Sequence, residues 1–512
     1  MEDPLHQSNN GSGDSILLRF LEYIGIFAFI ALIGTLMYQK QSTEILQPLS
    51  VEALEAQPGN ERWNGIFFQD QHVGFTVHRT SSLDDGTVLI EQRSMLKLVT
   101  FGQLQTIITA GAALTSPSGS LLRFDFFMNS DAAKLSVKGE VHEKQILMKV
   151  DQGTGEISTL DFPIDKPPHV ALSLETQIRN TELAVGKELK VPYFDPASMS
   201  EGEMRITVVE SVVLDTGEEA WWLVSDFNGV QTRSLVSSAG DILRQEAASG
   251  TSMVRMTPVE AQQLDLENPI DLIGMSAVKL EGKIKNAREK TDLEIYLKGV
   301  DSAKLISSPP VQNIGDNNFV EIHIPDANLF AQIPIENTNN EDLEYLVSTI
   351  DIPAEHPEIR GKTTELLQGI TDRWSAVLRL EEFVFDYMEK IPVIGVPNGL
   401  SALQQAKGDC NEHTALFVSL ARAAKIPTRI AAGIVFSDRS GPIGQFYYHA
   451  WPEVKMQLST GEWIWVPIDP TFGQAPADAT HIKLVEGGLD RQVEIIAFLG
   501  HITVQTAEDA NK

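Results

Sequence analysis

The sequence predicts an α+β protein in which mainly antiparallel β domains precede a helix-and-sheet domain carrying the chain's one cysteine. From Arg62 to about Thr251, short runs of alternating apolar and polar residues are separated by turn residues, the pattern of half-buried strands. Beyond Pro357 the apolar period lengthens to that of a helix, and strand-like runs then follow the cysteine. Ahead of both, Ile16 to Tyr38 is a single apolar stretch.

The chain has 512 residues, too many for one ordinary core, so several domains are expected. An apolar content of 42% with 21% charged residues is that of a folded chain. Acidic residues outnumber basic ones, 70 to 40, and no basic cluster interrupts them; nucleic acid is therefore excluded as a partner. A single cysteine closes no intramolecular disulfide, so the fold does without that staple and the thiol stays free.

Residues 1–15 read as a short tail and 16–38 as a transmembrane anchor of the length a bilayer core requires. Arg19 and Glu22 stand one helical turn apart and can pair at one interface. Leu36, Met37 and Tyr38 are all large, which leaves no small-residue cleavage site and favours an uncleaved, single-pass anchor. Residues 39–58 form a polar linker. The short tail and the large mass behind it place the bulk outside the cytoplasm, in the periplasm of a bacterium.

Residues 59–255 follow as an antiparallel β domain, with turns such as Asp84-Asp85-Gly86, Asp151-Gln152-Gly153 and Asp215-Thr216-Gly217. Its strand–turn–strand pattern resembles the large curved sheets of bacterial envelope lipoprotein carriers, and no function is attached to that likeness. Residues 256–350 are expected as a β-rich linking domain. Trp374 to Glu389 then carries helical periodicity after Asp372, with Pro392 and Pro397 closing it off.

The chemistry concentrates in 351–485. In Gly408 to Pro427, Asp409 is a helix N-cap and Leu416, Phe417, Leu420, Ala421 and Ala424 make one apolar face, so Cys410 lies in the first helical turn. There the macrodipole is expected to lower the thiol pKa, and the free Cys410 N–H can donate to an oxyanion. Thr428 to Phe436 reads as a central strand, and Phe446 to Met456 and Glu462 to Asp469 as a hairpin. A turn centred near Ser459 sets His449 opposite Asp469; one centred on Thr460-Gly461 offsets them by about three residues. In either register an Asp can orient a His that takes the proton of a nucleophilic Cys.

The segments GDCNEHTALFVSLARAAKIPTRIAAGIVF, FYYHAWPEV and WVPIDPTFGQ closely resemble the transglutaminase-like superfamily in its bacterial branch, over about residues 355–485. The family's order of Cys, His and Asp falls on Cys410, His449 and Asp469; Asp478-Ala479-Thr480-His481-Ile482 also looks like the family. The resemblance implies a papain-like core with the cysteine helix packed on an antiparallel sheet. It further implies attack on a peptide or protein amide through a thioester, passed to water by a protease or amidase, or to an amine by a crosslinker. Water is the expected acceptor. No cofactor is expected, and no EF-hand-like loop supports calcium. A side chain before the cysteine often completes the family's oxyanion site, which points to Asn398 or Trp374. A non-catalytic, membrane-tethered scaffold is the alternative class of function.

Cys410-x-x-His413 lacks the second ligand pair of a zinc site. His413 reads as a polar packing residue rather than a second base, and His481 as a structural hydrogen-bonding residue. Trp451, Trp463 and Trp465 can wall a groove, with core or hairpin packing expected for two of them. A C-terminal strand and tail, 486–512, complete the organisation.

Overall fold

A computed structural model describes residues 61–510, except 69, 101–102, 131–133, 152, 154–156, 180, 197–199, 228, 248–249, 266–276, 303–304, 338–339, 392–396, 439–443, 489–494 and 496–501. The expected tail, anchor and linker, and Pro392, lie outside the described residues. Among the described residues no helix is long and apolar enough to cross a membrane.

Residues 61–256 build a 14-stranded antiparallel sheet from two meanders. One runs outward from Glu61–Phe68 to Ile157–Pro163, the other inward from Glu188–Asp195 to Thr251–Met256; they join where Trp63 pairs with Met256. The expected turns are present: Gly86 and Gly217 adopt φ of 83° and 84°, a left-handed conformation that costs glycine little. The two outermost strands approach each other, with the Phe162 and Phe194 rings 5.4 Å apart and Phe124 at 5.6 Å from Phe194. Both Phe124 and Phe194 are buried among Leu121, Val137, Ile146 and Met148. Each such ring stabilises the curl by about 2 kcal/mol. The connecting segment runs along the Glu188–Asp195 strand, the His169 N–H donating to Pro192 O and the Phe194 N–H to His169 O. An edge covered in this way offers no template to another chain.

The remaining residues form α+β layers. A five-stranded sheet has the order Lys279–Glu281, Thr503–Thr506, Asp292–Lys298, Phe319–His323, Gln312–Ile314. Its Val278, Leu280, Ile295, Val320 and Val504 share one core with Ala432, Ile434, Phe446 and Ile482 of the cysteine-bearing unit. The boundary expected at 350/351 thus cuts through a common core. Strands of three to seven residues cannot bury a sheet face unaided, and here the second sheet covers them.

Four helices flank that second sheet: α1 (Pro357–Leu366), α2 (Arg373–Tyr387), α3 (Gly399–Gln405) and α4 (Cys410–Ala423). The sheet contains β1 (Thr428–Ser437), β2 (Gln445–Gln457), β3 (Trp463–Pro467) and β4 (Ile482–Glu486), in the antiparallel order β3-β2-β1-β4. Val377, Leu380, Leu416, Phe417 and Leu420 pack on Val454, Met456, Ile464 and Val466. Asp372 caps α2 by accepting the Ser375 N–H at 2.9 Å. Arg373 is fully buried and donates to the carbonyls of Ile335, Asn337 and Lys455, tying α2 to the preceding loop and to β2.

Candidate active site

The turn into α4 is a capping box. Asp409 Oδ1 accepts the Asn411 N–H at 2.8 Å, and the Asp409 N–H donates to Glu412 Oε2 at 3.0 Å. Gly408 is required beside it, because a Cβ there would lie 2.4 Å from the Glu412 Cβ. Cys410 is the first helical residue, so its own N–H has no intrahelical acceptor.

One residue of β2, Ala450, fixes the helix against the sheet. The Ala450 N–H donates to the Cys410 sulfur, and the Ala450 carbonyl accepts the Thr414 hydroxyl at 3.1 Å. Cys410 and Thr414 are four residues apart on one helical face. Ala450 can receive them because β3 pairs with β2 only from Glu453 onward, which leaves that edge open. His449 immediately precedes this residue.

The hairpin sets the partner of His449. Glu453 pairs with Pro467 and Gln457 with Trp463, so the turn pivots on Thr460, between the two registers expected. Gly461, at φ 93°, closes it. Continued along this register, position 469 opposes 451, and Asp469 reaches His449 diagonally. His449 Nε2–H donates to Asp469 Oδ2 at 2.9 Å, leaving Nδ1 as the free ring nitrogen. Phe472 stacks on the imidazole at 4.9 Å and 13°, and Trp451 lies 6.2 Å away at 21°.

Asp469 is fully buried and fully bonded. Its Oδ1 accepts the N–H groups of Thr471 (2.8 Å) and Phe472 (3.1 Å), and its Oδ2 accepts both His449 and His481 Nε2, the latter at 3.0 Å. Burial alone would raise its pKa, but the two imidazoles outweigh burial and hold it well below the usual carboxylate range. His481 Nδ1 donates to the Asp478 carbonyl at 2.9 Å. Burial opposes the charge on His481, yet Asp469 and Asp478 raise its pKa to about 9. Asp478 in turn accepts Arg288 Nη1 at 2.7 Å and the Thr480 N–H at 2.8 Å.

Several expectations need correction. Burial, reinforced by the Asp409 carboxylate and then by Glu412 and Asp469, pushes the Cys410 thiol well above its ordinary pKa; the Ala450 N–H pulls the other way. Asn398, expected at the oxyanion site, caps α3, its Oδ1 accepting the Ser401 N–H at 2.9 Å and its Nδ2 donating to Ile350 O at 2.6 Å. Trp374 packs on Phe330 at 4.7 Å, and Phe330 bridges to Leu458 at the hairpin tip, roughly 30 Å along β2 from His449.

His413 is the packing residue expected. Its Nδ1–H donates to Asp409 O at 2.6 Å, and burial lowers its pKa to about 4, so the ring is neutral. Trp463 and Trp465 lie under the guanidinium groups of Arg373 and Arg429, whereas Trp451 is buried against His449 and His481. Arg288, Tyr448 and Phe472 were missed. Tyr448 donates to Asn411 Oδ1 at 3.0 Å beside the cysteine. No local sequence signal marks Arg288, which lies 190 residues from Asp478.

The ligand atoms of His449, Asp469 and His481 lie within 4.8 Å of one another, a set able to hold a divalent cation. Here both imidazole Nε2 atoms are instead engaged in hydrogen bonds to a single carboxylate oxygen.

Residues 360–470 match the transglutaminase-like superfamily, and this part of the chain is a transglutaminase-like domain. No curated protein matches the sequence. Among solved structures, a candidate cysteine protease from Cytophaga hutchinsonii aligns at TM-score 0.28 and 14% identity, over 42% of this chain and 81% of that one. A β-barrel-like protein of the DUF1849 family from Brucella abortus aligns at TM-score 0.31 and 11% identity, over 39% and 95%. The periplasmic domain of TgpA from Pseudomonas aeruginosa, bound to ethylmercury, aligns at TM-score 0.22 and 14% identity, over 58% and 88%. Superpositions this loose carry no functional argument.

Proposed function

We propose that the transglutaminase-like domain is a cysteine-dependent acyl-transfer enzyme acting on peptide or protein amides, with water as the acceptor. The observation that carries this reading is the buried Asp469 carboxylate 2.9 Å from His449 Nε2, which commits that nitrogen as a donor and leaves Nδ1 to act as base. His449 Nδ1 takes the Cys410 proton as sulfur attacks the amide carbon. The tetrahedral oxyanion is met by the Cys410 N–H, and the proton passes to the departing amine. Water then attacks the thioester with His449 again as base, releasing the carboxylic acid and restoring the thiol.

The apolar stretch Ile16–Tyr38 supports tethering at a membrane with the bulk of the chain outside the cytoplasm. Detergent-dependent extraction that is lost on deleting residues 1–58 is the expected result for that tether.

The functional test offers glutamine-containing peptides with and without a primary amine and weighs the products. Hydrolysis products that require Cys410 are expected in both cases. Amine incorporation identifies a crosslinker instead. Processing that persists in Cys410→Ala removes the thioester route.

A further inference from the structure

We propose that His481 is a positioning residue of this site, fixing Asp469 against His449 while held itself by Asp478 and Arg288, so that the working unit extends on both sides of the 360–470 match. The proposal rests on the acyl-transfer reading and names residues that reading does not use.

Geometry gives His481 its state. Its Nε2 faces the Asp469 carboxylate at 3.0 Å and its Nδ1 faces the Asp478 carbonyl at 2.9 Å. Neither oxygen can donate, so both ring nitrogens must carry protons to satisfy both contacts, and the ring is an imidazolium. The side chain is almost completely buried, with a carboxylate on either side: Asp469 Oδ2 at 3.0 Å and Asp478 Oδ1 at 3.6 Å. Its other ring neighbours are Trp451 at 5.1 Å, His449 at 5.7 Å and Phe472 at 6.2 Å.

Two paths run from Arg288 to the base. In one, Arg288 Nη1 donates to the Asp478 carboxylate, the Asp478 backbone carbonyl accepts from His481 Nδ1, and Asp469 Oδ2 accepts from both His481 Nε2 and His449 Nε2. Its guanidinium also lies 4.5 Å above the Phe472 ring that stacks on His449. Arg288 is anchored to Phe436 O at the end of β1, so it precedes the family match in sequence yet holds residues within it and just beyond it. A histidine that only filled space would need neither the paired carboxylates nor this clamp.

The test uses full-length protein labelled with 15N-histidine and reads two quantities: the low-field resonance of His449 Nε2–H, and the pH profile of Cys410 alkylation by iodoacetamide. In His481→Leu the resonance is expected to shift, and alkylation at neutral pH to slow by roughly tenfold or more as the base loses its orientation. His481→Gln keeps an N–H donor for Asp469 and should recover most of both. Arg288→Met should move both in the same direction by less. A folded His481→Leu whose resonance and profile match the wild type overturns the proposal, as does a divalent ion in the purified wild type that His481→Leu releases. If His481→Leu does not fold, an unaltered resonance and alkylation profile in Arg288→Met overturns it. The resonance reads geometry without catalysis. An inert Cys410 with a shifted resonance would sink the acyl-transfer reading and leave this one standing.

Discussion

Thr414 donates its hydroxyl to the Ala450 carbonyl at 3.1 Å, and this bond sets where Cys410 stands relative to His449. The N–H of the same residue donates to the Cys410 sulfur, so any slide of α4 along β2 breaks both contacts. Thr414→Val keeps the shape and removes the donor, stranding a buried carbonyl. A stability loss of about 1 kcal/mol is expected in denaturant melts. Acyl transfer should fall more than that loss explains, and Thr414→Ser should retain both.

Asn398→Ala should separate stability from chemistry. Its amide oxygen caps α3 and its nitrogen holds Ile350 O, so the variant should lose about 1 kcal/mol of stability. The rate per folded molecule should stay at the wild-type value. A large loss of rate in stable protein would return Asn398 to the oxyanion site.

Arg373 predicts the opposite balance. Its buried guanidinium satisfies carbonyls from two segments, and Arg373→Leu leaves all of them without donors. Breaking a fully buried charged network of this kind costs roughly 3–5 kcal/mol, visible as a large drop in denaturation midpoint. Arg373→Lys, with fewer donors in a different geometry, should rescue only part of it.

Stability should fall on the alkaline side through His481. Its pKa rises from 6.5 in the unfolded chain to about 9 in the fold, so its contribution is complete below pH 6.5 and is lost as pH rises through about 9. The depressed carboxyls of Asp469 and Asp478 act at the other end, their contribution present at neutral pH and lost in acid. Thermal melts across this range should show both limbs, and His481→Leu should flatten the alkaline one.

Local features of the site were legible in the sequence, and long-range ones were not. The Asp409 cap and the 3.6-residue apolar period placed Cys410 at the start of a helix, and Asp372 marked the start of α2. The hairpin was readable, but its pivot on Thr460 depends on the three-residue turn closed by Gly461, which composition does not specify. The thiol pKa went the other way because a helix start is visible in sequence while the burial that opposes it is not. Strand Thr503–Thr506, inserted between Lys279–Glu281 and Asp292–Lys298, joins chain segments more than 200 residues apart. Arg288 was hidden for the same reason.

The most direct measurement is the alkylation rate of Cys410, the only thiol in the chain, by iodoacetamide at neutral pH in wild type and in His449→Ala. If His449 is the base, the folded variant should react slower by about tenfold or more. Equal rates in two folded proteins would contradict the catalytic assignment.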